Sequence, residues 1–247
     1  MDHIRVDHHD TVALLTLIDT ERRNAMTAPM VNEIVASFDA LEADGTTHAV
    51  VVTGEPPAFC SGADVSSLGA LAQAGSETER RSVTNIYEGF LRVLRSPLPT
   101  IAAVNGPAVG AGFNLALACD VRLAGQSARF DTRFLKIGLH PGGGHTWLLE
   151  RAIGPQNAAA LVLLGVAVDG QRAAEIGLAW ACHPDAELVE AAIELAAGAA
   201  RAPIELLGAA KASLREMPWQ PDFEAAVATE VTRQAWSLGQ GWFRPVK

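Results

Sequence analysis

Residues 102–120, AAVNGPAVGAGFNLALACD, constrain the fold of this chain more than any other stretch. An apolar run over 100–104 meets Asn105-Gly106-Pro107, a turn-forming triplet, and Val109-Gly110-Ala111-Gly112 follows. A fully apolar segment then runs to Cys119-Asp120. That order predicts a buried strand, a glycine-rich turn and a buried helix. Small residues at a helix start let a second molecule approach the backbone, and the unpaired N–H groups there favour negative charge. Two readings fit this stretch taken alone. One is a site for a developing oxyanion; the other is a βα turn whose glycines only let helix and strand pack.

Composition narrows the setting. A chain of 247 residues at 49% hydrophobic content can bury a large core. No window holds 18 uninterrupted apolar residues, so no membrane span is expected. The opening MDHIRVDHHD is unlike a signal or transit peptide. The 3 cysteines form no CxxC pair, which suits reduced thiols and a cytoplasmic location. A net charge of −9 with scattered Lys and Arg argues against nucleic-acid binding, while a local basic spot for a small anion remains open.

Along the chain, residues 4–8 and 11–18 read as strands, and 19–26, DTERRNAM, as a polar turn with two adjacent arginines. Thr27 is the expected N-cap of a helix carrying Val31, Ile34, Val35, Phe38 and Leu41 at helical period. Residues 48–53 read as a buried strand, 55–65 as an irregular loop, and 66–82 as the most mobile region. A helix is expected over 83–95, stopped by Pro97 and Pro99, and short strands over 121–124 and 128–131. HPGGGHT at 140–146 forms a second glycine-rich loop. From Trp147 onward the chain reads as mostly helical, with breaks at Gly154-Pro155, Val166 to Gly170 and His183-Pro184, and amphipathic helices near 186–200, 203–216 and 221–238.

Residues 58–65, AFCSGADV, and 104–120, VNGPAVGAGFNLALACD, stand in the order and spacing of a known family. With ERRNAM at 21–26, IGLHPGGGHT at 137–146 and AAEIGL at 173–178, they resemble the enoyl-CoA hydratase/isomerase family, also called the crotonase superfamily. The resemblance runs from about residue 4 to about residue 215. It implies an α/β fold, the crotonase-like (ClpP/crotonase) spiral of ββα units with a helical C-terminal region that drives trimerisation. One domain over 1–247 is then expected, with the spiral over about 1–190 and the helical region over about 191–247. The implied assembly is a homotrimer, or two trimers paired as a hexamer.

The implied ligand is an acyl-CoA thioester, with coenzyme A as part of the substrate and no permanently bound cofactor or metal. The resemblance maps two backbone N–H groups that hold the thioester oxygen onto Ala63 and Ala111. Removing one such donor typically costs about 2.7–4 kcal/mol of transition-state stabilisation. CoA is implied to lie along Arg22, Arg23 and Ala25 and along Ser61, Gly62, Ala63, Asp64 and Val65, with Gly110 beside Ala111. Either arginine could offer its guanidinium fork to phosphate oxygens.

The chain departs from the family where proton transfer is concerned. The two glutamates that hydratases use for adding water align with Asn114 and Phe134. An amide has no pKa useful for accepting a proton near neutrality, and phenylalanine can neither accept nor donate one. Such groups contribute about 10²–10⁴-fold each, so efficient hydration is not expected. Asp131, three residues before Phe134, is the best carboxylate candidate for moving a proton, set against a solvated strand end. His140 and His145 are further candidates, though His145 falls where a helix would begin and could simply pack or face solvent. Cys60 reads as a small buried apolar residue rather than a nucleophile, and Asp120 as a cap or turn residue. Asp64 is expected on the structural or CoA side, and Phe113, Phe134 and Trp147 in the pocket or core. The closing GQGWFRPVK leaves Arg244 or Lys247 to replace the basic cluster with which family chains reach a neighbouring subunit's CoA.

Two functions follow. One is an enzyme using the oxyanion site for isomerisation or other enolate chemistry; the other is a non-catalytic acyl-CoA-binding protein. A dinucleotide-binding reading of VGAG fails for want of a G-x-G-x-x-G after the first strand.

Overall fold

Runs such as VALLTL and AVVVTG do not alternate between polar and apolar residues, the pattern of strands covered on both faces. In the computed structural model, which describes residues 3–64 and 76–244, these runs form the centre of a six-stranded sheet. The described strands are β1 (Ile4–His9), β2 (Val12–Leu17), β3 (Ala49–Gly54), β4 (Thr100–Val104), β5 (Pro107–Val109), β6 (Val121–Gly125), β7 (Arg129–Asp131), β8 (Val168–Asp169) and β9 (Ala181–His183). The large sheet has the order β1-β2-β3-β4-β6-β9. Only the β1–β2 pair in it is antiparallel; the later pairs are parallel, with Val12 opposite Ala49 and Ile101 opposite Val121. A smaller sheet, β5-β7-β8, stands beside it.

The described α-helices are α1 (Ala28–Ala43), α2 (Ser76–Arg95), α3 (Ala111–Ala118), α4 (His145–Leu163), α5 (Gly170–Glu175), α6 (Leu188–Ala197), α7 (Ile204–Glu216) and α8 (Phe223–Gly239). Thr27 does cap α1, its side chain accepting from the Met30 N–H. One sheet face buries Ala13, Leu15, Val50, Val52, Ala102 and Val104 with residues of α1 to α4. The other buries Val12, Leu14, Ala49, Val51, Ile101 and Ala103 against Leu188, Ala192 and Ala196 of α6. Successive strand residues therefore feed two cores, which is why the runs are apolar throughout.

Several boundaries differ from expectation. Helix α2 starts at Ser76 rather than 83, so part of the stretch expected to be mobile is helical, and the remainder of it, 66–75, lies outside the described residues. Short β5 forms within the expected turn, β8 within the expected break at 166–170, and β9 runs up to the break expected at His183-Pro184. Helix α4 runs across a break at Gly154, followed by Pro155. Asp120 is more than a turn residue. Its carboxylate accepts from the Thr100 N–H (2.8 Å) and hydroxyl (2.9 Å) and pairs with Lys211 (2.5 Å) and Arg215 (3.3 Å). Lys211 is buried and also donates to the Leu98 carbonyl at 2.5 Å, so this cluster fastens α7 to the start of β4.

Candidate active site

The loops that leave β2, β3 and β4 converge at the carboxyl ends of these parallel strands, where open α/β sheets bind their ligands. Asn24, fully buried, ties two of the loops by donating to the carbonyls of Glu55 (2.9 Å) and Ala58 (2.7 Å). Asn105 donates to the Gly54 carbonyl at 2.6 Å and brings in the third. Backbone bonds then zip the loops together. Ser61 N–H donates to Arg23 O (3.0 Å), Met26 N–H to Gly62 O (2.8 Å), Cys60 N–H to Pro107 O (3.1 Å) and Val109 N–H to Cys60 O (3.0 Å).

Glycine is required at two of these crossings. Gly62 has φ +101°, and a β-carbon there would lie 2.6 Å from the Val109 carbonyl oxygen. A β-carbon on Gly112 would lie 2.1 Å from the Cys60 carbonyl oxygen. The two motifs are thus held face to face by their lack of side chains.

Between them opens a cavity of about 190 Å³ lined by Ser61, Gly62, Ala63, Ile86, Tyr87, Val109, Gly110, Ala111, Asn114, Thr132, Arg133, Phe134, Ile137, Leu139 and His140. Ala63 and Ala111 share its wall. Ala111 is the first residue of α3, so its N–H has no carbonyl of a preceding turn to meet. Among the described residues the Ala63 N–H likewise meets no backbone acceptor. Two unspent amide donors in one mostly apolar cavity suit an oxygen that gains negative charge.

Asn114 lies one turn along α3, buried yet on the cavity wall, and its amide is held at both ends. Nδ2 donates to the Gly142 carbonyl at 3.0 Å, and Oδ1 lies 2.7 Å from His145 Nδ1. A carbonyl only accepts, so Nδ2 must face Gly142 and Oδ1 must face the histidine. His145 therefore carries its proton on Nδ1 and leaves Nε2 bare, buried and without a partner among the described residues. Burial lowers the His145 pKa to about 4, which keeps the ring neutral. Its edges meet the rings of Phe113 at 5.3 Å and Phe134 at 5.1 Å. From the sequence this histidine was a candidate proton carrier that could instead pack or face solvent; it is the amide's partner, across a separation that no local pattern reveals.

Other candidates fall differently. Asp131 is neither a solvated strand end nor part of the cavity wall. Its side chain is 4% exposed and pairs with Arg133 (2.9 Å) and Lys136 (3.4 Å). Burial opposes its ionisation, yet the hydrogen bonds and charge of Arg133, helped by Lys136, hold it below the ordinary carboxylate range. It accepts from the Arg133 N–H at 2.9 Å, and its carbonyl accepts from the Gly110 N–H at 3.0 Å, so it shapes the wall from behind. His140 lines the mouth, exposed, with Nδ1 at 2.7 Å from the Pro141 carbonyl oxygen. Cys60 is fully buried, and burial pushes its thiol up to about 12, which suits the apolar reading. Phe134 lines the cavity and Phe113 the core. Trp147 belongs to neither: it is 45% exposed and stacks on Trp219, with Arg151 over both rings.

On the CoA side, Arg22 pairs with Asp19 at 3.2 Å and its carbonyl accepts from the Ser61 hydroxyl at 2.9 Å. Arg23 is exposed, in the left-handed region at φ 52°, and pairs with no acid among the described residues. Ala25 is buried beside them, Asp64 keeps an interaction of its own, and Val65 and Lys247 lie outside the described residues. Arg244 is exposed. Tyr87 on α2, a cavity residue, was not singled out from the sequence; helical phase pointed it inward, but nothing local tied its helix to this site.

A family model described as Enoyl-CoA hydratase/isomerase matches residues 7–234. A protein named probable enoyl-CoA hydratase from Mycobacterium tuberculosis is 53% identical over 212 residues, 86% of this chain and 80% of its own length. The crystal structure of an enoyl-CoA hydratase from Polaromonas sp. JS666 superposes with TM-score 0.89 at 28% identity, over 95% of this chain and 91% of that one. A Thermobifida fusca YX structure in complex with CoA gives TM-score 0.84 at 31% identity, over 97% of this chain and 94% of that one. The chain belongs to the enoyl-CoA hydratase/isomerase family, whose members act on acyl-CoA, and its fold is the crotonase fold.

Proposed function

We propose that the chain binds an acyl-CoA thioester with its carbonyl oxygen between the N–H groups of Ala63 and Ala111, and that its reaction is not efficient hydration. The observation that carries this reading is the pair of unspent amides on one cavity wall, with a doubly held carboxamide at Asn114 and a phenyl ring at Phe134 where the family's hydratases place glutamates. A thioester polarised there can enolise, which suits double-bond isomerisation or related enolate chemistry. Asp131 is too deeply ion-paired to serve as the mobile base, which leaves His140 as the candidate proton carrier at the mouth. The tight pairing of Asp131 also favours a second reading, a protein that binds acyl-CoA without turning it over.

Arg23, which pairs with no acid among the described residues, is the proposed phosphate contact, with Ser61, Gly62 and Asp64 along the CoA path. The chain acts as one domain over 1–247, in the cytoplasm, as a homotrimer that can pair into a hexamer. No bound cofactor is needed beyond the CoA of the substrate itself.

Calorimetry with butanoyl-CoA and free CoA tests the binding mode. Ala111→Pro removes one N–H at a first helical position that tolerates proline. It is expected to weaken butanoyl-CoA by about tenfold with free CoA little changed. Arg23→Ala is expected to weaken both ligands alike, by about threefold to tenfold. Equal effects of Ala111→Pro on the two ligands would place the thioester elsewhere.

A further inference from the structure

The cavity's polar side chains are almost all committed within the protein. The Ser61 hydroxyl donates to the Arg22 carbonyl at 2.9 Å, and the Thr132 hydroxyl to the Leu161 carbonyl at 3.1 Å. Asn114 is held at both ends, and Arg133 is turned to Asp131. Tyr87 differs. Its ring packs on Phe90 with centroids 5.5 Å apart, while its hydroxyl has no hydrogen-bond partner among the described residues. Burial raises its pKa, so the phenol keeps its proton and stands as a donor.

Position adds a direction. A β-carbon built on Gly142 would fall 2.1 Å from the Tyr87 hydroxyl, and the same residue's carbonyl takes the Asn114 amide at 3.0 Å. Asn114 itself sits three residues, a rise of about 4.5 Å along α3, beyond Ala111. From the Ala111 amide the wall thus runs through Asn114 and Gly142 to the phenol, past the thioester carbonyl and along the acyl group. A hydroxyl in a mostly apolar wall finds its bond in water or in an acceptor on the ligand.

We infer that Tyr87 is a specificity-determining residue whose hydroxyl donates to an oxygen carried on the first few carbons of the acyl group. This rests on the thioester placement proposed above. An acyl group bearing a hydroxyl or carbonyl there completes the bond. A plain alkyl chain displaces the water and strands the phenol, which is how a hydrogen-bonding site rejects an analogue that lacks the partner.

The test compares dissociation constants of 3-hydroxybutanoyl-CoA and acetoacetyl-CoA with that of butanoyl-CoA, for the natural chain and for Tyr87→Phe, which keeps the ring packing. The natural chain is expected to favour the two oxygenated ligands by about fivefold or more, and Tyr87→Phe to bring the ratio within about twofold of one. A ratio near one in the natural chain, or an unchanged ratio in the variant, overturns the inference; the natural-chain ratio decides by itself if the variant folds poorly. Because the chain has 1 tyrosine, an isotope-labelled tyrosine gives a single ring signal that should shift more with the oxygenated ligands. Equal binding of all three thioesters sinks the role of Tyr87 alone, whereas no thioester binding at all takes down the placement beneath it as well.

Discussion

His145 is held as a neutral ring inside the fold, and that has a cost in acid. Its pKa falls from the ordinary 6.5 to about 4 through burial. The unfolded chain therefore takes up the proton first, so stability is complete above about pH 6.5 and is lost as pH drops toward 4. Near pH 5 the loss from this one ring is about 2 kcal/mol. Urea unfolding near pH 7.5 and near pH 5 should show that loss in the natural chain and much less of it in His145→Gln; equal losses would mean that the ring is not the group responsible. Asn114 was legible only through the family resemblance, which sets a hydratase glutamate three residues after the position of Ala111. Its clamp by His145 was not, since that contact joins positions 31 residues apart. Asp131 was misread for a related reason: the sequence places a carboxylate near the site but does not show Arg133 folding back, at φ 58°, to neutralise it.

Among the elements, α8 has no buried residue, although Phe223, Val227, Val231 and Leu238 are at least 40% exposed apolar positions along it. It is tied to α7 by Arg233, which bonds to Ser213 and Glu216. A helix with an uncovered apolar stripe gains its stability from a partner surface. The trimer proposed here supplies one. Sedimentation should find three chains or a multiple of three per particle, and Val227→Asp with Val231→Asp should shift the population to smaller species. A natural chain that sediments as a monomer at micromolar concentration would contradict that assembly. Elements set by long apolar runs or clear helical period, β2, β3, α1 and α6 among them, could be read from local pattern. Strand β5 could not, because Pro107-Ala108-Val109 becomes a strand only through its pairing with β7 and the bridge from Ala108 to Cys60.

At the scale of the whole molecule, a sheet covered on both faces presents three loops at one end, and two glycine crossings press them into a single cavity wall. The resemblance carried by AFCSGADV and the 104–120 stretch located both halves of that wall, and membership of the enoyl-CoA hydratase/isomerase family follows from comparison over nearly the full chain. The proposed chemistry rests on side chains that depart from the hydratase pattern, Asn114 and Phe134, and the inferred selectivity on Tyr87, which joins them on the cavity wall from a helix far from either motif. Turnover of crotonyl-CoA, a short 2-enoyl thioester, measured beside its binding, tests the central claim most directly. The account predicts saturable thioester binding with hydration far below the usual enzymatic range of about 1–10³ s⁻¹. Hydration within that range would contradict it.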